Sequence, residues 1–189
     1  MLSRQFLPFA TPLSGGGGSS MLVKPCLGWG TNGDMSSPTF YRFRSEWELD
    51  APRTRVFEVL RKGENYERWW PQIKRSARLD DGSYEVVARS FLPYELHMVL
   101  TESAIDEAAG ILEVNINGDL EGFSRWTLSK RGGKTIALFE EEVVTHKPLL
   151  NTLSPVVKPV LRYNHTVMMR QGEKGLRRYL SSSDDESLS

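Results

Sequence analysis

The sequence predicts an α+β fold in which a curved antiparallel sheet wraps around a long C-terminal helix. An alternating strand and two short helical segments come first, over residues 41–71. Strand-like runs separated by turn signals then extend from 72 to 147, and one long amphipathic segment follows at 162–180. A sheet with a single terminal helix buries one face against that helix, so a strongly curved sheet would leave a cavity between the two.

The first element is the stretch YRFRSEWEL (41–49), where apolar and charged side chains alternate as in a half-buried strand. Helical spacing replaces this alternation in DAPRTRVFEVLRK (50–62), with Asp50 as the expected N-cap and Pro52 in the first turn. The stretch ENYERWWP (64–71) predicts a second, shorter helical turn. These elements precede the rest of the sheet.

The middle of the chain predicts about six antiparallel strands joined by hairpins. Its turn signals are DDG, EAAG, NGDLEG and RGG, which separate the alternating runs. Pro93 predicts a bulge or an edge position within 90–100, where the sheet would bend.

The composition excludes several classes of function. The 189 residues suit one main domain. Lys+Arg and Asp+Glu balance at 24 each, so the protein has no net positive charge that would attract nucleic acid or an anionic membrane. No apolar run reaches the ~18–20 residues that span a bilayer. The single cysteine, Cys26, suits a reducing compartment, and we expect a cytoplasmic protein. The three histidines are isolated from other metal-ligand residues, so we expect neither a metal nor a cofactor.

The two ends of the chain differ from its centre. Residues 1–40 contain SGGGGSS and predict a flexible segment: a tag, an upstream start before Met21 or Met35, or a weak targeting peptide that would direct organellar import. Residues 41–180 form the predicted domain. The polar acidic stretch at 181–189 predicts a disordered tail.

Several stretches carry a resemblance to a known family. They are DAPRTRVFEVL and YERWWP near the start, and GDLEGFSRWTLS, THKPLLNTLSPVVKPVLRYNH and VMMRQGEKGLRRYL near the end. Over residues 41–180 the chain resembles the SRPBCC or START-like helix-grip superfamily, and within it a bacterial polyketide cyclase/dehydrase-like subgroup. The resemblance implies a central cavity. It implies no shared catalytic motif, because members bind lipids, quinones, polyketides, hormones or proteins.

His165 lies on the apolar side of the last helix. At 100° per residue, a stripe of about 80° collects Leu161, His165, Met168, Gly172, Leu176 and Tyr179. His165 is therefore either a core histidine with partners for its ring nitrogens, or a polar group in a ligand cavity that orients the ligand or moves protons. Gly172 favours close approach of helix and sheet, and Met168 suits either core or pocket.

The run TIALFEEEVVTH (135–146) places a carboxylate among apolar neighbours in either strand phase. The resemblance favours the phase that turns Phe139 and Glu141 inward. Arg125, on the preceding strand, is the candidate cross-strand partner of Glu141, and a Glu–Arg pair on the solvated face is the alternative. If Glu141 and His165 converge in the cavity, they form an acid–base pair.

Aromatic residues supply the remaining candidates for the cavity wall. One of Trp69 and Trp70 is expected in the core and the other nearer the rim, with stacking on a flat ligand as a further possibility. Tyr94 and Met98 share one strand phase, whereas His97 has the opposite phase and is expected to be exposed. The full set of predicted ligand-binding residues is Trp47, Trp69, Trp70, Tyr94, Met98, Trp126, Phe139, Leu161, His165, Met168 and Gly172.

The leading functional prediction is binding of a small apolar or aromatic molecule, such as a lipid, a quinone or a polyketide, in the central cavity. One alternative is a metal-free cyclase/dehydratase that uses His165 with Glu141. Another is a protein-interaction module with a filled cavity, which would use the basic outer face of the last helix. That face contains Arg162, Arg170, Lys174, Arg177 and Arg178.

Overall fold

The computed structural model describes residues 40–145 and 154–186, and within the final helix it describes the side chains of 159–182. The predictions for 1–39 and for the end of the acidic tail lie outside these residues. Within the described part of the chain, no helix combines the length and apolar character that crossing a bilayer requires. The same residues contain no cluster of three or more His, Cys, Asp or Glu side chains that could hold a metal ion.

Seven antiparallel strands form one curled sheet around the C-terminal helix, as the sequence predicted. The strands are β1 (Phe40–Leu49), β2 (Ile73–Arg78), β3 (Tyr84–Ala88), β4 (Leu96–Asp106), β5 (Ile111–Gly118), β6 (Leu120–Arg131) and β7 (Lys134–Thr145). Their order across the sheet is β1-β7-β6-β5-β4-β3-β2. Strands β2 to β7 therefore follow one another as hairpins, and β1 adds to the sheet beside the last of them.

The helices differ from the sequence prediction at their ends. Helix α1 (Arg53–Arg61) begins after Pro52 and has no side-chain cap, so the prediction that Asp50 is the N-cap was wrong. The Asp50 carboxylate lies 3.4 Å from Lys134 Nζ instead. A 3-10 turn follows over Gly63–Arg68, and the final helix α2 spans Ser154–Glu186, beyond the predicted end at 180.

Pro93 does not belong to a strand, contrary to the prediction of a bulge or edge within 90–100. Residues 89–95 form the connection between β3 and β4, which begins only at Leu96. The irregularities of the sheet occur elsewhere, where the register shifts between Ile73 and Arg75 and between Glu102 and Ala104. Such shifts bend a strand locally and help a sheet curl.

The core is concentrated against the second half of α2. Trp47, Phe57 and Leu176 are almost completely buried there, together with Trp69 and Trp70. Large aromatic side chains fill the space between this half of α2 and the sheet. The first half of α2, from Leu161 to Met168, faces a region that side chains leave partly empty.

Candidate functional site

A cavity of about 200 Å³ lies between the first half of α2 and the inner face of the sheet. Alternate residues of neighbouring strands form its apolar wall, because successive side chains on a strand point to opposite faces. On β4 and β5 these residues are Leu96, Met98, Leu100, Leu112, Val114 and Ile116. Engineered apolar cavities of about 150 Å³ bind molecules of the size of benzene, so this cavity accommodates a small apolar ligand.

Most of the predicted site residues lie in this wall. They are Trp70, Tyr94, Met98, Trp126, Phe139, Leu161, His165 and Met168, and Glu141 joins them from β7. Tyr94 belongs to the connection between β3 and β4 rather than to a strand. His97 points the other way and its side chain is 62% exposed, as its phase predicted.

Three predicted ligand-binding residues lie behind the wall instead of in it. Trp47 is 1% exposed and packs its ring against that of Trp70, with centroids 5.5 Å apart. Trp69 is as deeply buried as Trp70, so the prediction that one of the pair lies near the rim was wrong. Gly172 lies against the Trp70 indole, where a Cβ would come within 2.6 Å of Cε2. These residues hold Trp70 in place.

Glu141 and His165 meet in the cavity. Strand β7 turns Phe139, Glu141 and Val143 toward the cavity, which is the phase that the resemblance favoured. Glu141 Oε2 lies 3.5 Å from His165 Nε2, and the two side chains are only 12% and 14% exposed. This separation exceeds the 2.7–3.2 Å typical of an N–H···O hydrogen bond, so the contact is a close ion pair when His165 carries a proton.

The imidazole of His165 also stacks against the ring of Phe43, with centroids 3.8 Å apart and planes 10° from parallel. The ring of Phe139 lies 6.1 Å away on a similar plane. His165 is therefore both packed against aromatic rings and part of the cavity wall.

Arg125 is not the partner of Glu141, contrary to the sequence prediction. In the register of β6 and β7, Ser124 lies opposite Glu141 and Arg125 lies opposite Glu140. The Arg125 guanidinium instead donates from Nε to Glu113 Oε2 at 2.6 Å, across β5 and β6. The Glu141 carboxylate consequently has His165, and not Arg125, as its charged neighbour.

Sequence reasoning did not single out Asn164 as a site residue. Its Oδ1 atom is buried and accepts no hydrogen bond from any described residue, although Asn164 lines the cavity. One sequence signal could have found it. Leu161, Asn164, His165 and Met168 follow the i, i+3, i+4, i+7 spacing of a single helix face.

Two phenols line the same region as Asn164 and His165. Burial raises the pKa of Tyr94 to about 12, and the neighbouring Tyr41 phenol adds to the effect. Burial also raises the pKa of Tyr41, although the Arg162 guanidinium opposes the shift. Both hydroxyls therefore stay protonated at neutral pH and can donate or accept a hydrogen bond.

No protein-family model and no curated protein matches this sequence. Solved structures do. A START superfamily protein from Mycobacterium smegmatis is 15% identical, with a TM-score of 0.58 over 75% of this chain and 97% of that one. The ZhuI aromatase/cyclase from Streptomyces sp. R1128 is 13% identical, with a TM-score of 0.60 over 74% and 96%. Ara h 8.0201 is 19% identical, with a TM-score of 0.51 over 76% and 99%.

The chain has the START-like helix-grip fold. This confirms the fold predicted from the order of elements and from the resemblance. Because the sequence identities are below 20%, the similarity establishes a shared architecture and not a shared ligand or reaction. In this helix-grip protein the site must therefore be interpreted from its own residues.

Proposed function

We propose that this helix-grip protein binds a small apolar or aromatic molecule, such as a lipid, a quinone or a polyketide-like compound, in its central cavity. The observation that carries the proposal is the cavity of about 200 Å³, which the side chains of the sheet and α2 leave unfilled. Burial of apolar ligand surface supplies most of the affinity, at about 25 cal/mol per Å² before the entropic costs of binding. The few polar groups orient the ligand.

The solved structures support the proposal through their fold. They include a START superfamily protein and two aromatase/cyclases, one of them the di-domain protein BexL. In this chain the shared architecture surrounds a cavity with mostly apolar walls.

A second candidate function is metal-free acid–base catalysis of the cyclase or dehydratase kind. The convergence of Glu141 and His165 at 3.5 Å inside the cavity favours it. An imidazole in such a position can accept a proton from a bound substrate, and the carboxylate stabilises the imidazolium that forms. Catalysis requires the reacting atom of the substrate to come within about 2.6–3.2 Å of the ring nitrogen.

The protein-interaction alternative has less support. It predicted a cavity filled by side chains, whereas the cavity is open space. The exposed basic residues of α2 are explained in part as a solvated helix face, since Arg177 donates to Glu173 one turn away.

The test begins with native mass spectrometry of the purified protein, followed by organic extraction of any bound molecule. A stoichiometric apolar compound would support the proposal, and turnover of that compound would then favour the catalytic candidate.

Displacement of an environment-sensitive apolar dye measures binding in the cavity directly. We expect Met98→Trp, which fills the cavity, to abolish dye binding, and Val99→Trp, on the exposed face of the same strand, to leave it unchanged. Equal dye binding by both folded variants would contradict the proposal.

A further inference from the structure

We propose that the ligand carries a neutral hydrogen-bond donor, a hydroxyl or N–H group on an apolar scaffold, and places it at the polar end of the cavity. The polar end consists of Glu141, Asn164 and His165. This inference rests on the proposed function and names the class of ligand that the same cavity selects.

Asn164 supplies the first argument. Its side-chain oxygen is buried and receives no hydrogen bond from the described residues, while the side chain borders the cavity. Leaving a buried acceptor unsatisfied costs free energy that a ligand donor would recover. A ligand O–H or N–H at this point therefore adds to affinity as well as fixing orientation.

Glu141 supplies the second argument. A carboxylate only accepts hydrogen bonds, and its contact with His165 Nε2 at 3.5 Å is too long to use its lone pairs well. Both Glu141 and the Asn164 oxygen thus present acceptors beside His165. A ligand carboxylate would be repelled by them, and a quinone, which only accepts, would leave them unsatisfied.

Two phenols of the wall, Tyr66 and Tyr84, are already paired within the protein. The Tyr66 hydroxyl donates to the Leu60 carbonyl at 2.6 Å, and the Tyr84 hydroxyl donates to Glu102 at 3.2 Å. Neither requires a ligand partner. The unpartnered acceptor on Asn164, in a wall that is otherwise mostly apolar, favours a ligand with one polar group and an apolar body.

The stack of His165 on Phe43, with Phe139 nearby on a similar plane, offers flat ring surfaces beside these acceptors. An aromatic scaffold contacts such surfaces well. Naphthalene derivatives therefore provide a matched series of test ligands: 2-naphthol, 2-methoxynaphthalene, 2-naphthoate and 1,4-naphthoquinone. They share two fused rings and differ in whether the substituent donates, only accepts or carries negative charge.

Isothermal titration calorimetry of the full chain measures its affinity for each of the four compounds and tests the inference without any mutation. We expect 2-naphthol to bind about tenfold more tightly than 2-methoxynaphthalene, the effect of one buried hydrogen bond. The quinone and the carboxylate should bind more weakly than 2-naphthol. Similar affinities for 2-naphthol and 2-methoxynaphthalene would overturn the inference and leave the proposed function standing. If none of the four compounds bound, both would fall.

Two variants assign the effect to its residues. Asn164→Leu should reduce the preference for 2-naphthol to near unity, because it removes the acceptor and keeps a similar volume. Glu141→Gln should strengthen 2-naphthoate binding severalfold, and the matched Glu140→Gln, at the neighbouring position on the opposite face of β7, should not. An unchanged 2-naphthol preference in folded Asn164→Leu would overturn the inference, as would identical 2-naphthoate affinities in the two glutamine variants.

Discussion

The imidazole of His165 lies flat against the phenyl ring of Phe43, with ring centroids 3.8 Å apart. Its Nε2 edge points to Glu141, 3.5 Å away. Phe43 on β1 thus contacts the face of the His165 ring, and Glu141 on β7 contacts its Nε2 edge. Two neighbouring strands therefore fix the orientation of this helix residue.

This arrangement leads to a first prediction, for His165→Ala. We expect affinity for apolar aromatic ligands to fall about tenfold, because the stacking surface and the polar edge are lost together. The melting temperature should fall by only a few degrees, since the residue borders a cavity. Dye displacement and circular dichroism measure the two effects.

The control for this prediction is Thr166→Ala, the next position along α2, whose side chain is exposed and bonds only its own helix. It should change neither affinity nor melting temperature appreciably. A large loss of stability in His165→Ala without any change in affinity would make His165 a structural histidine.

Periodicity was sufficient to predict the element order and, from the helical spacing of α2, the face on which His165 lies. It left the inward face of β7 open, because a slip of one residue exchanges the two faces of a whole strand. Only the family resemblance favoured the phase that brings Phe139 and Glu141 together into the cavity wall.

Periodicity could not predict which residues lie opposite each other. Alternation assigns Arg125 to a face, but its neighbours depend on the turn geometry at each end of β6. Arg125 has Glu140 opposite on β7 and Glu113 opposite on β5, and only the full register distinguishes them. The depth of Trp69 likewise depends on α2, which is about a hundred residues away in the chain and therefore outside any local pattern.

The corrected pairing of Arg125 yields a second prediction. A double-mutant cycle on Arg125→Ala and Glu113→Ala should give a coupling of about 0.5–1 kcal/mol in the free energy of unfolding, because the pair is only partly buried. The matched cycle with Glu140→Ala should give a smaller coupling, since the Glu140 carboxylate lies 3.8 Å from the Arg44 guanidinium and shares only a register position with Arg125. Urea unfolding of the variants measures both. A larger coupling with Glu140 would contradict the observed pairing.

The contact of α2 with the Trp69 backbone yields a third prediction. A Cβ on Gly175 would overlap the Trp69 carbonyl oxygen, a backbone atom that cannot turn aside. Gly175→Ala should therefore destabilise the protein by about 1–3 kcal/mol, although alanine normally favours a helix over glycine by about 1 kcal/mol. Lys174→Ala, at the adjacent exposed position, is the control and should be nearly neutral. Stabilisation by Gly175→Ala would show that helix and turn are less closely packed.

The half-buried phenol of Tyr94 yields a fourth prediction, for alkaline pH. Burial raises its pKa to about 12 from the ordinary value of 10.0, so the folded chain holds this proton more tightly than the unfolded chain. Its contribution to stability is complete below pH about 10 and is lost as the pH rises toward about 12. Tyr94→Phe should therefore lose less of its unfolding free energy than the parent between pH about 9 and about 11. Urea unfolding at the two pH values measures this difference, and a steeper loss in the variant would contradict the assignment.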